Sequence, residues 1–430
     1  MQIAGYLQAG GTHFIINTVS VNLIVLKHFE YFMKRSIIIL VFVLISSVNF
    51  IAQEIKMDPV KKIIEEVKAK YAPDKRVAIF NVAAVQKGNS IALTGETNIE
   101  IAKQDLLDKL RNITLLVSDE IHLLPDSKLK GRIYGVVNLS VANIRTDHEH
   151  EAELATQALL GTPVKVYKYS SGFYLVQTPD NYIAWIDEDG LVLKDREQYK
   201  EWSSSEKIIY TKEFGFSYSE PSQKSLRVSD LAAGNILIYI GEEDNFYKVR
   251  YPDGRIAFTL KDDCSRFNSW LSRENPSETD IINTAKLFMG VPYLWGGTSV
   301  KGMDCSGFTK TVYFLNGIVL GRDASQQVHT GVLVDTQNGF GKLQPGDLLF
   351  FGKQKTDTTS EKITHVGIYI GNFQYIHAAG RVKINSFDKD AANFNAYRLD
   401  HFIRAKRILN SVDTRGITSV KRNKYYTGDI

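Results

Sequence analysis

Asp304-Cys305-Ser306-Gly307-Phe308 is the stretch of this 430-residue chain with the clearest chemical potential. Phe308, Val312 and Leu315 recur at i, i+4 and i+7, the apolar spacing of a helix face. Asp304 then reads as an N-cap and Cys305 falls in the first helical turn. There the positive end of the helix dipole favours thiolate, the form of sulfur that attacks carbonyls. A thiol nucleophile needs a base to share its proton and a further group to hold that base in the right tautomer. His365, in His365-Val-Gly-Ile-Tyr369, and His377, in Tyr375-Ile-His-Ala378, are the candidates. Two other readings compete. A helix cysteine is often plain packing, and Cys305, His365 and His377 could instead hold zinc, although no His-x3-His or Cys-x2-Cys pair supports a metal site.

The histidines can meet only if the strands carrying them pair in a register that puts both on one face. A two-residue turn at Gly371-Asn372 would pair Ile370 with Phe373 and send them to opposite faces. A three-residue loop would place them directly or diagonally opposite, within about 4.5–8 Å between Cβ atoms. The Gly-Asn pair favours the two-residue turn, but catalysis requires the other, and the three-residue loop is the expectation adopted.

The elements around this centre divide a chain too long for one core. A net charge of +4 gives no case for a nucleic-acid partner. Two cysteines, Cys264 and Cys305, do not make a disulfide scaffold. Met33-Lys34-Arg35, the apolar run Ile37 to Ile45 and the small residues near Ala52-Gln53 have the order of a secretory signal. Met33 is therefore the expected start, residues 1–52 an upstream segment with its signal, and the mature chain begins near Gln53. The apolar run is shorter than the roughly 20 residues a membrane span requires. An exported protein, periplasmic or extracellular, with no membrane span after cleavage, is expected.

Residues 56–130 show a helix-strand-strand-helix-strand pattern, similar to the BON-type modules of bacterial envelope proteins in pattern only. No residue there offers chemistry, and a spacer role is expected. An internal repeat follows. Gly161-Thr-Pro-Val164 matches Gly234-Asn-Ile-Leu237, Phe173-Tyr-Leu-Val176 matches Phe246-Tyr-Lys-Val249, and Pro179-Asp-Asn-Tyr-Ile-Ala-Trp185 matches Pro252-Asp-Gly-Arg-Ile-Ala-Phe258. Position 161 maps to 234, 173 to 246 and 179 to 252, always 73 residues on. Short alternating strands broken by Gly, Pro and Asp read as small barrels. They resemble bacterial SH3-like domains, placed at 131–200 and 204–270. A cysteine-bearing domain at 274–410 and a disordered tail at 411–430 complete the division.

Asp304-Cys-Ser-Gly-Phe308, Leu343-x-Pro-Gly-Asp-Leu348, His365-Val-Gly-Ile-Tyr369 and Tyr375-Ile-His-Ala378, in this order, resemble the NlpC-type cell-wall cysteine peptidases. With two SH3-like domains ahead, Arg322-Asp-Ala-Ser-Gln326 and His377-Ala-Ala-Gly-Arg381, the chain is similar to γ-D-glutamyl-L-diamino-acid endopeptidases over about residues 131–408. The resemblance implies an α+β architecture: a papain-like cysteine peptidase domain preceded by two small SH3-like β-barrels and a small N-terminal α+β domain. It implies Cys305 as nucleophile, His365 as base then acid, His377 as its orienting partner and Tyr293 as an oxyanion donor. It further implies that Asp304, Ser306 and Ser325 touch the substrate. Glu153 and Tyr182 are the choices for the acid and tyrosine that meet a free L-Ala amine, with Glu149, Glu151 and Trp185 as competitors. No metal or other cofactor is implied. The expected substrates are peptidoglycan stem peptides, L-Ala-γ-D-Glu followed by diaminopimelate or Lys, acted on by a monomer. A wall-binding protein with an inactive domain, or an amidase or acyltransferase on the same fold, are the alternatives.

Overall fold

The computed structural model of the chain describes Met33 and residues 57–113, 116–272 and 276–430. The expected signal run, its cleavage near Gln53, the upstream residues 1–32 and Asn275 of the expected linker lie outside the described residues. Among the described residues no helix is long and apolar enough to cross a membrane.

Helix Met57–Tyr71 buries Val60, Ile64 and Val67, one stripe at i, i+4 and i+7. Helix Glu100–Arg111 does the same with Ala102, Leu106, Leu107 and Leu110. Both cover one face of a three-stranded sheet. Strands Phe80–Lys87 and Ser90–Thr97 form its hairpin, with Lys87 opposite Ser90 across Gly88-Asn89, and Val117–Leu123 adds in parallel. This unit is docked on the next one. Ile79 and Leu124 pack with Tyr167, Phe173, Leu175 and Trp185, Lys168 pairs with Glu96 at 2.6 Å, and Asn98 Nδ2 donates to the Tyr167 hydroxyl at 2.9 Å.

Two seven-stranded antiparallel sheets follow, between residues 134 and 194 and between 207 and 266. Strand Phe173–Gln177 of the first corresponds to Phe246–Arg250 of the second, and Ile183–Asp187 to Ile256–Leu260, each pair starting at positions 73 residues apart. The repeated glycine turns lie against each other. The Ile236 N–H donates to Leu160 O at 2.9 Å, and a Cβ on Gly161, at φ +81°, would lie 2.1 Å from Ile236 O. Only glycine allows the two barrels to approach this closely.

The last unit is a six-stranded antiparallel sheet in the order Val332–Val334, Phe402–Arg407, Leu348–Lys353, Lys362–Gly371, Gln374–Ala379, Arg381–Ser386. Its central strand is apolar on both faces: Leu348 and Phe350 join the core beneath helix Cys305–Phe314, while Leu349 and Phe351 join the cluster on the other side. Helix and strands together form a mixed α and β domain.

Two expectations need correction here. Residues 411–430 are not a disordered tail. Strand Ile417–Ser419 pairs with Ile318–Leu320, and buried Tyr425 donates through its hydroxyl to Gln177 Oε1 at 3.0 Å. Asn423 Nδ2 reaches Pro179 O at 2.9 Å, so this polar segment straps the first barrel to the cysteine-bearing domain. The aromatic pair Tyr425-Tyr426 is the apolar anchor that a polar composition hides. Second, no three-residue loop joins the histidine strands. Gly371 pairs with Gln374 around a two-residue turn, Asn372-Phe373, both at positive φ, as the twist of a hairpin favours. A bulge at Ile370 supplies the extra residue.

Candidate active site

That bulge decides the parity of the hairpin. Ile368 stands opposite Ile376, which puts Gly367 opposite His377 and leaves His365 diagonal to it on the same face. Their rings meet: His365 Nε2 and His377 Nδ1 are 2.7 Å apart. His377 Nε2 lies 2.9 Å from Asn385 Oδ1, and the Asn385 amide is oriented because its Nδ2 donates to Asn393 O at 2.9 Å. These contacts set the tautomers in turn. His377 Nε2–H donates to Asn385, so a neutral His377 accepts at Nδ1 from His365 Nε2–H. His365 is left with a bare Nδ1.

Asp304 caps helix Cys305–Phe314, accepting from the Gly307 N–H at 2.7 Å. Gly307 is required at this spot, because a Cβ there would lie 2.0 Å from Gly297 O. Cys305 is buried, with the backbone N–H groups of Val366 and Ser306 facing its sulfur. Val366 follows His365 directly in the chain, so the strand that carries His365 also borders the thiol.

Burial, with the adjacent Asp304 charge, pushes the Cys305 thiol up to about 11. The same burial, then His377, holds His365 well below the ordinary 6.5, and burial pushes His377 down to about 4. The expectation of a resting thiolate at the helix end is therefore corrected. Desolvation disfavours both charged forms, and a carboxylate at the N-cap offsets the field of the helix end. Burial thus favours a neutral thiol at Cys305 and a neutral imidazole at His365.

One cleft of about 690 Å³ is lined by Cys305, Tyr293, Asp304, Ser306, Ser325, Glu153 and Tyr182, together with Arg76, Trp295, Arg322 and Asp323. Its walls come from the peptidase, the first barrel and the N-terminal unit. Glu153 accepts from Trp295 Nε1 at 2.5 Å across the barrel–peptidase boundary. Tyr182 is buried, and burial and the Asp323 charge raise its phenol. Tyr293 is half-buried, its phenol raised by burial and then by the nearby Cys305 and Asp304. The competitors Glu149, Glu151 and Trp185 do not line the cleft; Trp185 packs with Ile79.

Asp304 and Ser306 have partners of their own. Arg322, 1% exposed, forks onto Asp304 at 2.6 and 3.1 Å and donates to Ser306 Oγ at 3.1 Å. Its Nε donates to Thr156 Oγ1 of the first barrel at 2.9 Å. Among the described residues no group of three or more His, Cys, Asp or Glu is placed to hold a metal ion, and His365 Nε2 is already taken by His377.

Sequence reasoning missed Asn385, Arg322, Asp323 and Arg76. Asn385 had a legible signal: Ala379 pairs with Arg381 around Gly380, and the same register puts Asn385 opposite Tyr375, diagonal to His377. Arg322 and Asp323 sat inside a quoted motif without a role.

Residues 290–400 match the NlpC/P60 family, and residues 144–191 match the bacterial dipeptidyl-peptidase Sh3 domain. A Bacillus cereus protein named gamma-D-glutamyl-L-lysine dipeptidyl-peptidase is 36% identical over 236 residues, 53% of this chain and 67% of that one. A Bacillus subtilis protein of the same name is 29% identical over 52% of this chain and 72% of its own. The crystal structure of an NlpC/P60 family protein from Bacillus cereus superposes with a TM-score of 0.56 at 27% identity, covering 64% of this chain and 99% of that one. With the cysteine, its histidines and the barrel-walled cleft in place, the chain belongs to the NlpC/P60 family of peptidoglycan endopeptidases and is a cysteine hydrolase.

Proposed function

We propose that the protein hydrolyses the bond between γ-D-Glu and the following diaminopimelate or Lys in peptidoglycan stem peptides whose L-Ala amine is free, releasing L-Ala-γ-D-Glu. The carrying observation is the cleft: Cys305 opens into a space whose other walls hold the acids Glu153 and Asp323 and the phenol-bearing Tyr182. Acids on the other walls of the thiol's cleft suit an ammonium two residues before the scissile bond. The names of the Bacillus relatives support the same bond.

In this reading the D-Glu γ-carbonyl settles against Cys305 with its oxygen toward the Tyr293 hydroxyl, a donor whose loss typically costs about 3 kcal/mol of barrier. As Sγ bonds the carbonyl carbon, its proton moves to His365 Nδ1. The imidazolium so formed is held through Nε2 by His377, and His377 by Asn385. Collapse breaks the C–N bond, and His365 returns the proton to the leaving amine. Water then attacks the thioester, giving one proton to His365, which passes it to the departing sulfur. Asp304, Ser306 and Ser325 line the side where the dipeptide lies. The signal-like order of Met33-Lys34-Arg35 and the apolar run Ile37 to Ile45 supports an exported enzyme, periplasmic or extracellular, and a monomer is the state proposed.

Acetylating the L-Ala amine of L-Ala-γ-D-Glu-L-Lys removes the charge the acids would meet. Turnover measured by product mass should fall by roughly two orders of magnitude, and undiminished turnover would sink this specificity. A pH profile tests the relay. The base must be neutral to accept the proton, and a depressed pKa keeps it neutral to lower pH. The acid limb of kcat/KM should therefore lie well below the ordinary imidazole value of 6.5; a midpoint at that value would contradict the buried relay.

A further inference from the structure

The N-terminal α+β unit was expected to be a spacer, yet it reaches the cleft. Arg76, just before its first strand, lines the same space as Cys305. Its Nε and Nη2 fork onto Asp74, both at 2.8 Å. Its Nη1 crosses to the peptidase, donating to Asp323 Oδ2 at 2.7 Å and to Ser325 Oγ at 2.9 Å. Gln326 Nε2 answers from the peptidase side, donating to Asp74 Oδ2 at 3.0 Å.

This bridge is held from behind. The Ile183 N–H donates to Arg76 O at 2.6 Å, and Gln177 Nε2 donates to Val77 O at 3.2 Å, so the backbone that follows the arginine side chain is fixed to the first barrel beside Tyr182. The unit is also docked through Ile79, Leu124, Glu96 and Asn98, which makes Arg76 unnecessary as glue. Its side chain is nonetheless about a third exposed, at 32%, and faces the cleft. Four donors of a planar fork committed to fixed acceptors give a wall with little freedom to yield.

We propose that Arg76 is a specificity-determining residue. By tying Asp323 and Ser325 to the N-terminal unit it closes the end of the cleft where the first residue of the peptide lies, and so limits what can precede that residue. This rests on the stem-peptide reading above, and adds to it that the limit is set by length and is imposed from outside the peptidase and both barrels.

The test compares L-Ala-γ-D-Glu-L-Lys with Gly-L-Ala-γ-D-Glu-L-Lys, which keeps an ammonium and adds only length. The protein should favour the shorter peptide by about 100-fold in kcat/KM. Arg76→Ala should cut that preference at least tenfold, and Arg76→Lys, which keeps bulk and charge beside Asp323, should retain more of it than alanine does. Thermal midpoints recorded alongside separate this from a purely structural role, which would lower the midpoint and leave the preference untouched. If the alanine variant does not fold, Arg76→Gln gives the same readout with the chain length kept. An unchanged preference, or equal turnover of both peptides by the unaltered protein, overturns the role of Arg76 alone. Failure of the unaltered protein to cleave the tripeptide overturns the stem-peptide reading, and this inference with it.

Discussion

Cys305→Ala should lower kcat on L-Ala-γ-D-Glu-L-Lys by about 10⁴-fold or more, while the peptide still binds, because a nucleophile and its base act as one unit. Glu153, Tyr182 and Asp323 stand on other walls of the cleft and are untouched by the substitution. Cys305→Ser should be nearly as inactive. A base held well below its ordinary value by burial is too weak to draw a proton from an alcohol, whereas a thiol pushed only to about 11 remains within reach as the carbon–sulfur bond forms. Because the residues are a unit, adding His365→Ala to Cys305→Ala should cost little more. The check is release of L-Ala-γ-D-Glu followed by mass. Turnover within tenfold of the unaltered protein would mean that the thiol is not the nucleophile.

Local signals in the sequence were reliable where a single element decided the outcome. The cap at Asp304 and the apolar stripe Phe308–Val312 place the cysteine at a helix start, and the 73-residue repeat marks two barrels, because these depend on neighbours a few residues away. The hairpin was harder. The Gly-Asn pair pointed to a two-residue turn, which by itself would have separated His365 from His377. The turn is indeed two residues, shifted by one to Asn372-Phe373, and the bulge at Ile370 restores the shared face. A bulge has no strong sequence signature and is fixed by what the sheet packs against.

The parts that stayed hidden are contacts between units. Arg76 meets Asp323 across 247 positions of chain and Ser325 across 249, and Tyr425 meets Gln177 across 248. No periodicity carries information over such separations. What remained visible was only residue type: an arginine in a short polar link, and two adjacent tyrosines in a basic tail. The same holds for the sense of the cysteine's titration. A helix start argues for thiolate, but how much water the folded chain removes from the sulfur, and the charge placed at the cap, set the opposite direction.

The second large effect concerns the pair behind the cysteine. Arg322 and Asp304 are 1% and 7% exposed, joined by a two-pronged contact of 2.6 and 3.1 Å. Such a pair adds little over a well-packed apolar replacement, yet removing one member leaves a buried charge unmatched, at about 3–5 kcal/mol. Arg322→Met should therefore destabilise strongly, lowering the thermal midpoint by roughly 10 °C. The Asp304 carboxylate keeps its N–H partners Gly296 and Gly307, but not the cation. The same loss reaches the chemistry, because the Asp304 charge raises the Cys305 thiol and Arg322 opposes it. With Arg322 gone the thiol rises further, and kcat should fall in the surviving folded fraction. Adding Asp304→Asn removes the unmatched charge while keeping a side chain that can cap the helix, so the double variant should regain more than half of the lost midpoint. A midpoint for Arg322→Met within about 2 °C of the unaltered protein, or a double variant less stable than the single, would show that the pair is not what holds the start of the cysteine helix.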